Sequence, residues 1–158
     1  MKTWEILSLV TVALVVGMFS GPWVALKKSI RVCRFEVFVD VVDRMNWNMA
    51  PALTVLLPSA FLSLGLATLM TFGEFSVLFI LNGASLIFFT ISLLIAVILE
   101  IPVVRQIATW PGALTAPKDW QEVRSRWLLI HIVRAAFGFA SLIPLLIGSG
   151  LLFKSLQQ

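Results

Sequence analysis

Residues 75–99 read FSVLFILNGASLIFFTISLLIAVIL and contain no charged side chain over 25 consecutive positions. A helix rises about 1.5 Å per residue, so this stretch is long enough to cross the roughly 30 Å hydrocarbon core of a bilayer. A helix on the surface of a soluble protein would carry polar residues along one face. The stretch therefore predicts a transmembrane helix.

Three further apolar runs, 6–26, 51–72 and 127–153, are each long enough to cross the same core. The whole chain is 59% hydrophobic and 13% charged, with a mean hydropathy of +1.00. Globular chains devote about a quarter of their residues to charge. The sequence predicts an all-α integral membrane four-helix bundle, forming a single transmembrane domain over residues 1–158 with the lipid bilayer as its partner.

The first run could be mistaken for a cleaved signal peptide. Residues 6–26 form a longer run than the usual apolar region of about 7–15 residues, and no small-x-small cleavage site follows it. We therefore expect a retained helix.

The basic residues are gathered in alternate connections between the runs. The connections after the first and third runs contain Lys27, Lys28, Arg31, Arg34, Arg44, Arg105, Lys118, Arg124 and Arg126. Such a distribution is an orientation signal for a membrane protein and not a nucleic-acid footprint, despite the net charge of +4. It predicts that both connections face the cytoplasm of a bacterial inner membrane. The termini and the turn at Gly73 and Glu74 then face the other side.

The two cytoplasmic connections differ in character. Residues 30–48 alternate charged and apolar side chains at helical spacing, which predicts an interfacial helix or a cytoplasmic extension of the second transmembrane helix. Residues 100–121 contain three prolines and a glycine, so one continuous helix is not expected there. We expect this second connection to cap the cytoplasmic mouth of the bundle.

A stripe of polar and small residues marks the fourth run. Alternating steps of three and four place six residues on one helical face: Arg124, Trp127, His131, Arg134, Gly138 and Ser141. An ionisable group at membrane depth is costly, so the stripe should point into the bundle. Arg134 needs a counter-ion, and Glu100 at the end of the third run is the expected one. The pair could also lock the bundle without chemistry, and the sequence leaves that alternative open.

The chain is poor in metal ligands. Cys33 and His131 are the only cysteine and the only histidine. These residues allow no intrachain disulfide, and they do not make up the ligand sets typical of zinc or non-haem iron. We predict no metal site and no cofactor, while haem with His131 as its sole axial ligand remains an open alternative.

Several short motifs resemble the anthrone oxygenase family. They are Phe19-Ser20-Gly21-Pro22-Trp23, Arg44-Met45-Asn46, Glu100-Ile101-Pro102-Val103 with Gln106 and Trp110, and Trp120 followed by Arg124, Trp127, His131 and Arg134. The resemblance implies a small four-helix membrane protein. In the fungal polyketide-pathway members it further implies oxidation of an anthrone to an anthraquinone by molecular oxygen, without an obvious cofactor.

The polar residues are compatible with that chemistry. His131 would be the base that removes a proton from an activated methylene, and Arg134 and Arg124 would stabilise the resulting negative charge. Glu100 would orient His131 or balance the arginines. The residues expected to bind substrate are Gln106, Trp120, Trp127 and Asn46.

Two other classes of function remain open from the sequence. The chain could be a non-catalytic subunit of a larger membrane complex, or a binding protein for a quinone-like or haem-like ligand. A purely structural subunit does not need a polar stripe inside the bundle. A transport protein for such a ligand is the related alternative, and it usually needs more helices or a dimer. A homo-oligomer or a larger membrane complex is therefore a further possible assembly.

Overall fold

The computed structural model of the chain describes residues 2–72, 77–110, 112 and 115–154. Every regular element within these ranges is helical. The side chains at positions 2, 22, 23 and 27 lie outside that description. The turn predicted at Gly73 and Glu74 lies outside it as well.

Four long helical segments make up the fold. They are α1 (Lys2–Val32), α2 (Phe35–Met70), the continuous series of α3 (Val77–Ile95), a π-helical turn (Ala96–Glu100) and α4 (Ile101–Ile107), and α5 (Trp120–Lys154). Each of the four is long and apolar enough to cross a membrane. The predicted all-α four-helix membrane bundle is confirmed, and the chain is an integral membrane protein.

The helices extend beyond the apolar runs that predicted them. The first begins at Lys2 and ends at Val32, whereas its apolar run covers 6–26. The second begins at Phe35, so the segment before the apolar run is a helix extension and not a separate interfacial helix. A helix satisfies its own backbone hydrogen bonds, so nothing forces it to end where the hydrocarbon ends.

The connection after the third run is more helical than its prolines suggested. Residues Ile101–Ile107 form α4 directly after the π turn, with Pro102 in the first turn. The π turn directly before Pro102 already interrupts the regular ladder of hydrogen bonds at the point where the proline has no N–H to donate. The expectation that residues 100–121 do not form one continuous helix is confirmed, because α4 ends at Ile107 and α5 begins at Trp120.

The helices of the bundle do not all pack equally closely, and α2 and α3 are the neighbouring pair with the least contact. Helix α1 packs along α2 and α5, α3 packs along α5, and α2 meets α3 less extensively. Ser85 and Ser92 of α3 donate to the carbonyls of Ser141 (2.7 Å) and Arg134 (2.9 Å) on α5. At Gly138 an added Cβ would lie 3.2 Å from a methyl group of α1. The α1–α5–α3 contacts are therefore close, and the gap lies between α2 and α3.

Candidate functional site

Three ionisable side chains meet inside the bundle at the end of the long third segment. His131 Nδ1 lies 3.0 Å from Glu100 Oε1, and Arg134 Nη1 forms an ion pair with Glu100 Oε2. Arg134 Nη2 lies 3.2 Å from His131 Nδ1. All three residues are buried, with relative exposures of 8% for Glu100, 2% for His131 and 6% for Arg134. The predicted pairing of Arg134 with Glu100 is confirmed.

The π turn explains how Glu100 reaches α5. In a regular α-helix, the eight residues from Ser92 to Glu100 overshoot two full turns by about 80°. The N–H of Ile101 instead donates to the carbonyl of Ala96, five residues earlier, which widens the turn and absorbs that excess. Ser92, which bonds to α5, and Glu100 therefore both face α5. Turns of this kind are frequent at functional sites.

Aromatic rings surround the ionic network. The guanidinium carbon of Arg134 lies 4.1 Å from the ring centre of Phe19 on α1. The rings of Trp127 and His131 have centroids 5.2 Å apart.

Two buried donors, Trp127 Nε1 and Arg134 Nε, have no acceptor among the described residues. Buried donors without an acceptor are rare in folded proteins, so these two could serve the oxygen atoms of a bound molecule.

A cavity of about 470 Å³ lies against this network, between α2 and the segment formed by α3, the π turn and α4. Small-molecule sites usually enclose about 300–1,000 Å³, so the cavity is large enough for a compact organic molecule. Its polar wall holds Glu100, His131 and Arg134, and its apolar wall includes Leu53, Leu57 and Leu93. Asn46, Thr54 and Arg105 are the other polar residues that line it, so the lining is mostly apolar.

The eight residues expected at the site fall into two groups. Five of them line the cavity: Glu100, His131, Arg134, Trp127 and Asn46. Trp127 is buried, while Asn46 is exposed at the edge of the cavity. The remaining three, Gln106, Trp120 and Arg124, are not among the residues that line it.

Arg124 and its neighbours stabilise the bundle end instead. Arg124 Nη1 donates to the carbonyl of Cys33, between α1 and α2, at 3.2 Å, and its guanidinium carbon lies 4.7 Å from the ring centre of Trp120. Trp120 in turn contacts Phe35, with 5.7 Å between ring centroids. The exposed Gln106 lies 3.5 Å from a carboxylate oxygen of Asp119. The structure therefore does not bring Arg124 into the pocket that holds His131.

The two tryptophans of the connection that was expected to cap the bundle also pack away from the cavity. Trp110 is buried against Phe35, with ring centroids 5.7 Å apart, and Trp120 contacts the same phenyl ring. Neither lines the cavity, whereas Val104 and Arg105 of the same connection do, so this connection reaches the cavity through α4 and not through these two side chains. Residues 111, 113 and 114 of that connection lie outside the described ranges.

Sequence reasoning missed several residues of the site. Phe19, Met45, Met49 and Arg105 all line the cavity. The thioether and aromatic side chains gave no signal because they are equally common in a lipid-facing surface. Arg105 lies one turn after Ile101 on α4, and the presence of that helix was the missing information.

Metal ligands do not cluster in the described part of the chain: no group of three or more His, Cys, Asp or Glu side chains there could hold a metal ion. Comparison with protein-family models, with curated proteins and with solved structures finds no match to this chain. The fold and the cavity define a helical integral membrane protein with a pocket between its helices.

Proposed function

We propose that the cavity binds a flat hydrophobic molecule that carries oxygen atoms, and that the protein oxygenates it in the manner of the anthrone oxygenases that its motifs resemble. The observation that carries the proposal is the buried Glu100–His131–Arg134 network at one wall of a mostly apolar cavity. An apolar site with a few convergent polar groups is the usual form of a small-molecule site.

The network assigns a role to each nitrogen of His131. Glu100, as the ionised partner of Arg134, accepts the hydrogen on Nδ1 of His131. Nε2 of His131 then has the electron pair that accepts a proton, and it acts as the base once the substrate displaces Arg134 Nη2, which lies 3.5 Å from it. This arrangement matches the general pattern in which a carboxylate orients a histidine toward its substrate. Arg134 supplies the positive charge that stabilises the enolate oxygen.

The reaction balances without a further reactant. His131 removes a proton from the activated methylene, and the resulting enolate transfers electrons to molecular oxygen and forms a carbon–oxygen bond. Return of the proton gives a hydroperoxide, which eliminates water and leaves a carbonyl group. Overall, one methylene and one molecule of oxygen become one carbonyl and one molecule of water.

The position of the cavity suggests that its ligand enters from the bilayer. Val97 and Ile101 line the cavity and are 49% and 41% exposed. We infer that the cavity opens sideways between α2 and α3. A hydrophobic ligand dissolved in the bilayer can reach such an opening without crossing water.

Blocking the cavity should abolish ligand binding. Leu53→Trp places an indole where Leu53 lines the cavity, and Leu62→Trp on the same helix is the matched control because Leu62 is 63% exposed. We expect Leu53→Trp to weaken binding of an anthraquinone probe by about tenfold or more, a ratio that corresponds to about 1.4 kcal/mol. Quenching of tryptophan fluorescence by the probe in lipid nanodiscs measures this. Equal affinity in both variants would place the ligand elsewhere.

A non-catalytic binding role for a quinone-like ligand uses the same cavity. Absorption spectra and mass spectrometry of the purified protein distinguish the two functions. A bound quinone that survives purification, together with no oxygen uptake with an anthrone, would favour the binding role.

We further propose that the cavity lies on the cytoplasmic side. The end of the bundle that holds α4 and the first turns of α2 also carries most of the basic residues, including Arg34, Arg105 and Arg126. Alkaline phosphatase fused after Gln158 should then be active and green fluorescent protein at the same place should be dark. A fluorescent fusion with inactive phosphatase would reverse the orientation.

A further inference from the structure

A second polar pair lies at the other end of the bundle. Glu5, in the first turn of α1, is 1% exposed, and Asn82 on α3 is fully buried. Asn82 Nδ2 donates to Glu5 Oε1 at 2.5 Å and lies 3.5 Å from the carbonyl of Ala67 on α2. The pair joins three helices. Along the third segment it lies 18 residues before Glu100, about 27 Å at 1.5 Å per residue.

The hydrogen bonds of this pair leave two acceptors unsatisfied. Both neighbours of the Asn82 amide, Glu5 Oε1 and the carbonyl of Ala67, are acceptors, which fixes Nδ2 toward them. Glu5 Oε2 and Asn82 Oδ1 are then buried and have no donor among the described residues. Leaving a buried polar atom without its hydrogen bond costs about 1–3 kcal/mol.

Neighbouring hydroxyl groups do not supply the missing donor. Ser8 Oγ donates to the carbonyl of Glu5 at 2.9 Å. Thr71 Oγ1 lies 2.9 Å from the carbonyl of Thr68 and 3.2 Å from that of Ala67. Both hydroxyl groups are therefore directed at backbone carbonyls.

Charged groups near this end are few. The apolar stretches of α2 and α3 that pack here carry none, and the last five turns of α5 contribute only Lys154, which is exposed. The remaining ionisable groups are the side chain of Lys2 and Glu74, which lie outside the described residues. Glu5 forms no ion pair within the described part of the chain.

We propose that Glu5 is a proton-binding site, with the proton held on Oε2 and donated to Oδ1 of Asn82. One proton taken from water forms the O–H bond, satisfies both unpaired acceptors and removes the buried charge. The two planar groups then share two hydrogen bonds, one in each direction. A neutral carboxylic acid is also far less costly inside a bilayer than a carboxylate.

Glu5→Gln tests the proposal because its amide N–H stands where the proposed O–H stands. We expect this variant to be at least as stable to heat as the wild type, because the amide keeps the donated hydrogen bond and carries no charge. A clear loss of thermal stability in Glu5→Gln would contradict the proposal. The exposed Glu122→Gln is the control and should follow the wild type.

Infrared spectroscopy provides an independent measurement. The difference spectrum between wild type and Glu5→Gln at neutral pH should contain the carbonyl band of a protonated carboxylic acid, which shifts on exchange into deuterium oxide. Carboxylate bands alone would overturn the proposal. So would a wild-type melting temperature that rises when sodium or potassium is added to a cation-free buffer, since a metal cation would then occupy the place of the proton.

Discussion

Arg134→Met should destabilise the bundle by about 3–5 kcal/mol, the usual effect of removing one partner from a buried ion pair. Glu100, which is 8% exposed, would stay in the interior with His131 as its remaining polar partner. Methionine can still pack on the ring of Phe19, so the loss reports the charge more than the contact. The free energy of unfolding is measured by titration with sodium dodecyl sulfate, followed by circular dichroism.

Two variants show whether burial of the pair is the cause. The double variant Glu100→Gln with Arg134→Met leaves no uncompensated charge, so it should recover much of the lost stability. Arg44→Met removes an exposed ion pair whose atoms lie 2.8 Å apart and should have little effect, because water screens that pair. Similar losses from Arg134→Met and Arg44→Met would show that the internal pair is not a stabilising element.

His131→Gln should reduce oxygen uptake with an anthrone substrate by about 10²–10⁴-fold, the contribution typical of a positioned general base. Glutamine can still donate a hydrogen bond to Glu100, but it has no nitrogen that can accept a proton at neutral pH. Folding and probe binding should therefore persist. An oxygen electrode measures uptake, and the quenching assay measures binding in the same preparation.

The controls separate catalysis from binding. Arg126→Gln changes an exposed residue on the same helix, and its oxygen uptake should equal that of the wild type. Undiminished uptake in His131→Gln would exclude His131 as the base. A wild-type protein that binds the probe but consumes no oxygen would remove the oxygenase proposal and leave the cavity as a binding site.

The residues of the ionic network show how far sequence reasoning reached. Arg134 lies inside an apolar run, where a charge that faces lipid is costly. The sequence therefore predicted a counter-ion inside the bundle, and Glu100 was the candidate. The spacing along α5 correctly placed Trp127, His131 and Arg134 on one buried face. Arg124 has the same spacing, yet it lies about one helical turn before Trp127. Its guanidinium group donates a hydrogen bond to the carbonyl of Cys33. Helical periodicity gives a direction around the axis and not the neighbour that a long side chain selects.

Glu5 is a buried residue that hydropathy did not predict. The first apolar run begins at Ile6, and Glu5, directly before it, was not among the residues predicted to matter. The helix begins at Lys2 and buries this carboxyl group against Asn82, whose sequence position is 77 residues away. Hydropathy marks where apolar residues start, but it does not mark where a helix starts or what a neighbouring helix covers.

The sequence by itself determined the class of the protein, the number of spans and the inward face of α5. These follow from local quantities, namely the length of uncharged stretches and the period of the helix. The tertiary structure alone decided the cavity, the π turn that aims Glu100, and the pairing of Glu5 with Asn82. Those features depend on which helices pack closely and which do not. The gap between α2 and α3 depends on how the surfaces of two helices fit together, so it cannot be predicted from either segment alone.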